Sequence, residues 1–276
     1  MFALGFTLIF GVLGVINLSH GVIFMMGSYA ALQMVTVLHL PLLPALFLAG
    51  LISGFLAVLI DALILRPLRA RNAPHLAPMI ATIGVGIFLT SIIQGLMGAE
   101  VRRFPSGTLP EESITWQNLH ITYVQMGIML IALILVIALW LLMKKTQLGR
   151  ALRAIAESPK AAALLGIPVE KLFYLTSFMA GFLGGIAGVL VGLSFNAISP
   201  FMGQPMLHKG IAVIILGGMG DIRGALLGGL FLGFAEVFSV AYISSDFRDA
   251  IAFGLLFLIL LVKPSGLFGR VLERKA

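Results

Sequence analysis

"VQMGIMLIALILVIALWLLM", residues 124–143, runs twenty positions without a charge and is followed at once by Lys144 and Lys145. A helix that crosses a bilayer needs roughly 20 apolar residues. The stretch shows no polar/apolar alternation, and Leu, Ile, Met and Ala fill it. In hydrocarbon every backbone N–H and C=O must be satisfied within the segment, which a helix does and a lone strand cannot. This stretch therefore reads as a membrane helix, and the chain around it repeats the pattern.

Similar apolar segments lie near 1–16, 21–38, 45–65, 76–97, 172–194, 209–220, 224–242 and 249–262. The first is short for a span, and 209–220 is short and ends in "GGMG". Eight or nine membrane segments are expected, in an all-α, polytopic bundle forming one domain over 1–276. Composition agrees: of 276 residues, 60% are hydrophobic and 11% charged, where a soluble domain averages about 25% charged. The mean hydropathy is +1.10. With so little charge the chain could not cover its own surface in water. It has no cysteine, which excludes disulfide frameworks and thiolate metal sites.

Most of the 18 Lys and Arg residues fall on one side of this pattern. They are Arg66, Arg69 and Arg71; Lys144, Lys145, Arg150, Arg153, Lys160 and Lys171; Arg223; and Lys263, Arg270, Arg274 and Lys275. Arg102, Arg103, Lys209 and Arg248 fall on the other. Basic residues stay cytoplasmic, so the 144–171 loop, the opening stretch and the C-terminus are expected in the cytosol. The 98–123 loop, with Glu100, Glu111, Glu112 and Trp116, faces out. Topology accounts for the net charge of +7 without nucleic acid, whose binders cluster basic groups with aromatic platforms. "MFALGFTLIFG" lacks a positive n-region and a cleavage site, so no cleavable signal peptide is expected.

The polar 144–171 loop is longer than a connector needs. Ser158 suits an N-cap and Pro159 the first helical position. Gly166 suits the left-handed end of a helix, and Pro168 stops its continuation. A short helix is predicted at about 159–165, with a second helical piece upstream in "GRALRAIAE". Helices this short are marginal alone, so their Ala and Leu faces must pack on something. A docking surface and a plain connector both fit.

"INLSHG" (16–21) interrupts two apolar segments with Asn17, Ser19 and His20. It reads either as a tight turn or as a broken helix beside a translocation path. Gly11-Val-Leu-Gly14-Val-Ile16 is echoed by Gly217-Gly-Met-Gly220-Asp-Ile222, as chance or as an internal repeat. Glu236 lies well inside 224–242, where an ionised carboxylate must face the bundle interior or a cation. Asp61 lies near enough to Arg66 and Arg69 to form a membrane-edge pair. Gly181, Gly184, Gly185, Gly188 and Gly192 give G-x-x-x-G spacings that let helices approach closely. No Walker A loop, H-E-x-x-H or G-x-S-x-G occurs, so the chain reads as a non-enzyme without a metal site.

Four stretches carry a family resemblance: "GFTLIFGVLGVINLSHGVIFMMGSYAA" (5–31), "TQLGRALRAIAESPKAAALLGIPVEK" (146–171), "AVIILGGMGDIRGALLGGLFLGFAE" (212–236) and "LVKPSGLFGR" (261–270). Together they resemble the branched-chain amino-acid permease family of ABC importers, in its H-type membrane subunit, over nearly the whole chain. Members of that family usually begin about twenty residues upstream of the position matched by Met1, so the resemblance implies either a clipped first helix or a start assigned late. The resemblance implies alternating access by a subunit of the cell (inner) membrane, for branched-chain or related small neutral amino acids. The implied partners are a second homologous permease, two ATPase subunits that bind ATP and Mg, a periplasmic or extracellular substrate-binding protein, and membrane lipid. No cofactor is expected in this chain. The residues read for coupling are Arg150, Arg153, Glu157, Ser158, Ala161, Leu165 and Gly166. Those read for the pathway are Asn17, Ser19, His20 and Glu236. A permease for an amide or urea, a stand-alone channel or secondary transporter, and a purely structural membrane subunit are the alternatives.

Overall fold

The computed structural model describes residues 1–74, 76–105, 113–116, 119–218, 220–263 and 266–268. Glu111, Glu112, Arg270, Arg274 and Lys275 lie outside the described residues. The elements run α1 (Phe2–Leu13), α2 (His20–Thr36), α3 (Leu42–Ile60), a π-turn (Asp61–Leu65), α4 (Arg66–Ala70) and α5 (Leu76–Met97). A hairpin follows, β1 (Ser113–Trp116) with β2 (Leu119–Thr122), and then α6 (Tyr123–Lys145), α7 (Gln147–Glu157), α8 (Pro159–Leu164) and α9 (Val169–Phe195). The chain ends through α10 (Gly203–Gly217), α11 (Ile222–Tyr242), a 3-10 turn and α12 (Arg248–Val262).

Each apolar segment forms a helix, and the chain is an integral membrane protein. Among the described residues, five helices are long and apolar enough to cross a membrane: Leu42–Ala70, Leu76–Met97, Tyr123–Lys145, Val169–Phe195 and Ile222–Tyr242. The others, α1, α2, α10 and α12, have 12, 17, 15 and 15 residues. The hairpin departs from the all-helical expectation for the outer loop. Its strands pair antiparallel from Ser113↔Thr122 to Trp116↔Leu119, and Thr122 then starts α6 with a capping box to Gln125.

α9 is the central post, against which α1, α2 and α3 all pack. Its most apolar window is 67% buried, whereas that of α6 is 6% buried. Without a hydrophobic force between helices in lipid, close backbone approach holds such a bundle together, and small residues permit it. At Gly188 a Cβ would overlap the Phe24 carbonyl of α2, and at Gly181 it would overlap Ala57 of α3. Gly217 and Gly224 bring α10 and α11 together in the same way.

At one end of the bundle, Met143, Lys144 and Arg153 gather with Asp221 and Arg223. This is the basic end. Gly11, near the close of α1, lies against Gly220 there. The opening residues are therefore not at the basic end, contrary to expectation. Phe2 packs against Phe24 and Ala187 inside the bundle, because the first turn of α1 is as apolar as the rest. Asp61 is fully buried at the π-turn. It accepts from both terminal nitrogens of Arg69, at 2.6 and 3.3 Å. Arg66 instead reaches Glu170 at 3.6 Å.

Candidate functional site

Two constructions stand out, the α7–α8 segment at the basic end and the broken helices inside the bundle. α7 begins with a side-chain cap: Thr146 Oγ1 accepts from the Gly149 N–H at 3.0 Å and donates to the Leu142 carbonyl at 2.6 Å. Only glycine fits position 149, since a Cβ there would overlap the Leu142 and Met143 carbonyls. The Arg153 guanidinium also donates to the Met143 carbonyl. Leu152 and Ile155 are fully buried and share a cluster with Leu4, Leu8 and Val12 of α1 and with Leu172 and Phe173 of α9. The i, i+3 spacing of these two puts them on one helix face, which seats α7 beneath the bundle. Arg150, Arg153 and Glu157 remain exposed.

α8 is built as its sequence indicates. Ser158 Oγ accepts from the Ala161 N–H at 3.2 Å. Gly166 has φ +80°, and the Ile167 N–H returns to the Ala162 carbonyl at 3.1 Å. Ala162 is the buried contact of this turn, while Ala161, Leu165 and Gly166 face outward. Leu165 is 81% exposed and its neighbour Leu164 is 89% exposed. Sequence reasoning missed Leu164 because "AALL" looks like ordinary helix core. The signal was available in its position, two residues before the glycine that ends the helix and opposite Ala162.

The second construction begins at Gly14, which ends α1 in the left-handed conformation with φ +68°. The chain then climbs back along α1, so that His20 lies beside Gly5. Gly14 lies nine helical steps beyond Gly5, a rise of about 13 Å. α2 therefore starts inside the bundle rather than at its edge. Asn17 Oδ1 accepts from the Ser19 N–H at 3.1 Å and from Ser19 Oγ at 2.6 Å. The Leu18 N–H donates to Thr82 Oγ1 of α5 at 3.1 Å. His20 is fully buried, with Phe2 and Phe6 rings at 4.8 and 5.6 Å. Gly184 of α9 and Gly5 of α1 wall its slot.

α10 mirrors this deep start. Asn196 ends α9 with φ +43°, and its Oδ1 accepts from the Phe104 N–H at 3.0 Å. The chain re-enters the bundle, and Gly203 lies back to back with Gly21. α10 thus begins earlier than the apolar segment at 209–220. Pro205 is tolerated in a first helical turn, and with Gln204 and His208 it hides the helix from a hydropathy reading. The two echoed glycine motifs also meet. Gly14 and Gly220 both have positive φ, and Gly220 abuts Gly11.

Asn17, Ser19 and His20 thus come together, whereas Glu236 is elsewhere. Its carboxylate accepts from Lys209 Nζ at 2.8 Å and lies 3.4 Å from Arg248, while Lys209 also reaches Asp249 at 3.4 Å. Two cations and two anions close this network across α10, α11 and α12.

Residues 1–260 match the family described as branched-chain amino acid transport system / permease component. The chain is 34% identical to the high-affinity branched-chain amino acid transport system permease protein BraD of Pseudomonas aeruginosa, over 98% of this chain and 91% of that protein. It is 33% identical to LivH of Escherichia coli (strain K12), with the same coverage. It is 32% identical to the probable branched-chain amino acid transport permease protein LivH of Methanocaldococcus jannaschii, over 98% of this chain and 88% of that protein. No solved structure matches.

Proposed function

The chain belongs to the branched-chain amino acid transport system permease family, and from that premise we propose that it is the membrane-spanning subunit of an ATP-binding-cassette importer for branched-chain or related small neutral amino acids. The basic end faces the cytoplasm of the cell (inner) membrane, with the C-terminus on that side. The chain forms one permease domain of eight or nine membrane segments. Among these, α1, α10 and α12 stop short of the roughly 20 residues that a full crossing needs.

The single observation that carries the coupling role is the pair of exposed leucines, Leu164 and Leu165, on a capped turn at the basic end. An exposed apolar tip, on a segment that also exposes Arg150, Arg153 and Glu157, suits a groove on a separate ATPase subunit. α7 is anchored on α1 and α9 through Leu152 and Ile155, so a push on α8 reaches the half-helices at the middle of the bundle. ATP and Mg are held by two partner ATPase subunits. Closure of those subunits tilts this chain against a second, homologous permease, and a binding protein delivers the amino acid to the outer face. This alternating access needs no catalytic group in the chain itself.

The test is uptake of labelled leucine by proteoliposomes that hold the whole assembly. ATP-dependent uptake is expected, and Arg150→Glu combined with Gly166→Pro should abolish it while the chain remains inserted and assembled. Unchanged uptake by that variant rejects the coupling role. Uptake by the purified single chain without ATP rejects the importer reading in favour of a channel or secondary transporter. Binding of amino acids, amides and urea to the cognate binding protein identifies the cargo.

A further inference from the structure

α2 and α10 both begin at the Gly21–Gly203 contact, roughly level with Gly184 and so midway along α9. Where two helices start at mid-depth beside a third that passes them, the space above and between them is not filled by backbone. α5 is the passing helix. A recess of about 440 Å³ opens between these three elements.

Its lining does not resemble a lipid-facing wall. Thr90 and Gln94, four residues apart on α5, and Gln204 and His208, four apart on α10, all face into it, and Ser91 extends the α5 stripe. Residues spaced i, i+4 share a helix face, so each helix presents a polar stripe to the same space. Ser91, Gln204 and His208 are exposed on the surface of this chain. The other exposed side chains of α5 are almost all Leu, Ile and Phe, such as Ile80, Phe88 and Leu96. Amide and hydroxyl groups at that depth have no partner in hydrocarbon, so they must face water, a solute or another protein surface. Among the described lining residues there is no Asp, Glu, Lys or Arg. Lys209, adjacent to His208, is drawn instead to Glu236 and Asp249. Ile83, Ile87, Leu207 and Ile211 complete the wall.

We propose that this recess is the station through which the solute crosses the membrane, with Thr90, Ser91, Gln94, Gln204 and His208 as its hydrogen-bonding contacts. It takes a small, net-neutral solute with one hydrogen-bonding end and one apolar end. Neutral amides and hydroxyls recognise such an end without imposing a net charge, and the isoleucines and leucines receive the other. The proposal rests on the importer reading above for the identity of the cargo. It does not rest on that reading for the existence of a watered path.

The chain has no cysteine, so single cysteines introduced into it report access without a background from this subunit. In the assembled complex, Ser91→Cys and Gln204→Cys should react with a small hydrophilic methanethiosulfonate reagent, as should exposed Arg103→Cys. Phe88→Cys, on the lipid side of α5, should stay silent. Leucine should slow the reaction at Ser91→Cys and Gln204→Cys but not at Arg103→Cys. Gln94→Leu and Gln204→Leu, each removing one neutral hydrogen-bonding group, should raise the KM for uptake by about tenfold. Silence at both recess positions while Arg103→Cys reacts means that a partner helix or lipid fills the space, and overturns the proposal. Unchanged KM in both leucine variants also overturns it. If the recess positions react but the wild-type complex imports no amino acid, the importer reading fails and the watered path stands.

Discussion

Lys209 Nζ lies 2.8 Å from Glu236 Oε2, tying α10 to α11 within the bundle. Arg248 and Asp249 at the start of α12 complete a network of zero net charge. Removing Lys209 leaves Glu236 with Arg248 alone, and removing Glu236 leaves Lys209 with Asp249 alone, so each change unbalances the network at a cost below the roughly 3–5 kcal/mol of breaking a fully buried pair. Lys209→Met and Glu236→Gln should each lower the thermal midpoint in detergent. The double variant restores zero net charge, since Arg248 and the well-exposed Asp249 both remain, and should recover most of the loss. A double variant as unstable as the sum of the two singles would show that the charges do not act as a unit.

Asp61 and Arg69 should respond unequally to substitution. Asp61 is fully buried, whereas the Arg69 side chain keeps 17% exposure and lies over the Phe173 ring at 4.7 Å. After Asp61→Asn the guanidinium still reaches water and the edge of Glu170. After Arg69→Met the Asp61 carboxylate has no cation and no route to solvent. Arg69→Met should therefore be the more destabilising, by about 3 kcal/mol or more, as measured by thermal unfolding in detergent. Equal losses would argue against the buried position of Asp61.

The positions of the helices were legible in the sequence because a bilayer demands one thing of every segment, a long apolar run. The α8 caps, Ser158 and Gly166, were legible because capping chemistry is local. What depends on depth was not legible. The start of α10 at Gly203 hides behind Gln204, Pro205 and His208, which look like loop to a hydropathy scale. "INLSHG" reveals a break but not that the chain climbs back beside α1 before α2 begins. The partners of Glu236 lie on two other helices, one of them 27 residues away, and no spacing rule selects Lys209 in advance. The exposed leucine pair was half legible: Leu165 was named and Leu164 was not, since exposure depends on which side Ala162 buries.

Glycines of the same type should divide sharply by neighbourhood. A Cβ at Gly188 would overlap the Phe24 carbonyl, whereas Gly84 and Gly127 have nothing within 4 Å. Gly188→Ala forces α2 away from α9 and should destabilise by about 1–3 kcal/mol, as overpacking does. Gly127→Ala, in the first turns of α6, should be neutral or stabilising by up to about 1 kcal/mol through helix propensity. Parallel melts of the two variants decide the matter. A harmless Gly188→Ala would mean that the α2–α9 contact is looser than the structure places it.

The two faces of the α7–α8 segment should separate stability from transport. Leu152 is fully buried in the cluster that anchors α7 beneath α1 and α9, so Leu152→Ala should cost about 2–5 kcal/mol and lower the yield of assembled complex. Leu164 and Leu165 touch almost nothing within this chain. Leu164→Asp with Leu165→Asp should then leave the thermal midpoint within the range of ordinary surface changes, about 0.5 kcal/mol. Docking of an apolar tip into a partner groove would nevertheless be lost. Removing two such anchors, each worth about 2 kcal/mol or more at an interface hot spot, should lower ATP-driven uptake by at least about tenfold. Uptake and co-purification of the ATPase subunits would fall together. Retention of both, in a variant that folds normally, would mean that the segment is a connector and that force enters the bundle elsewhere.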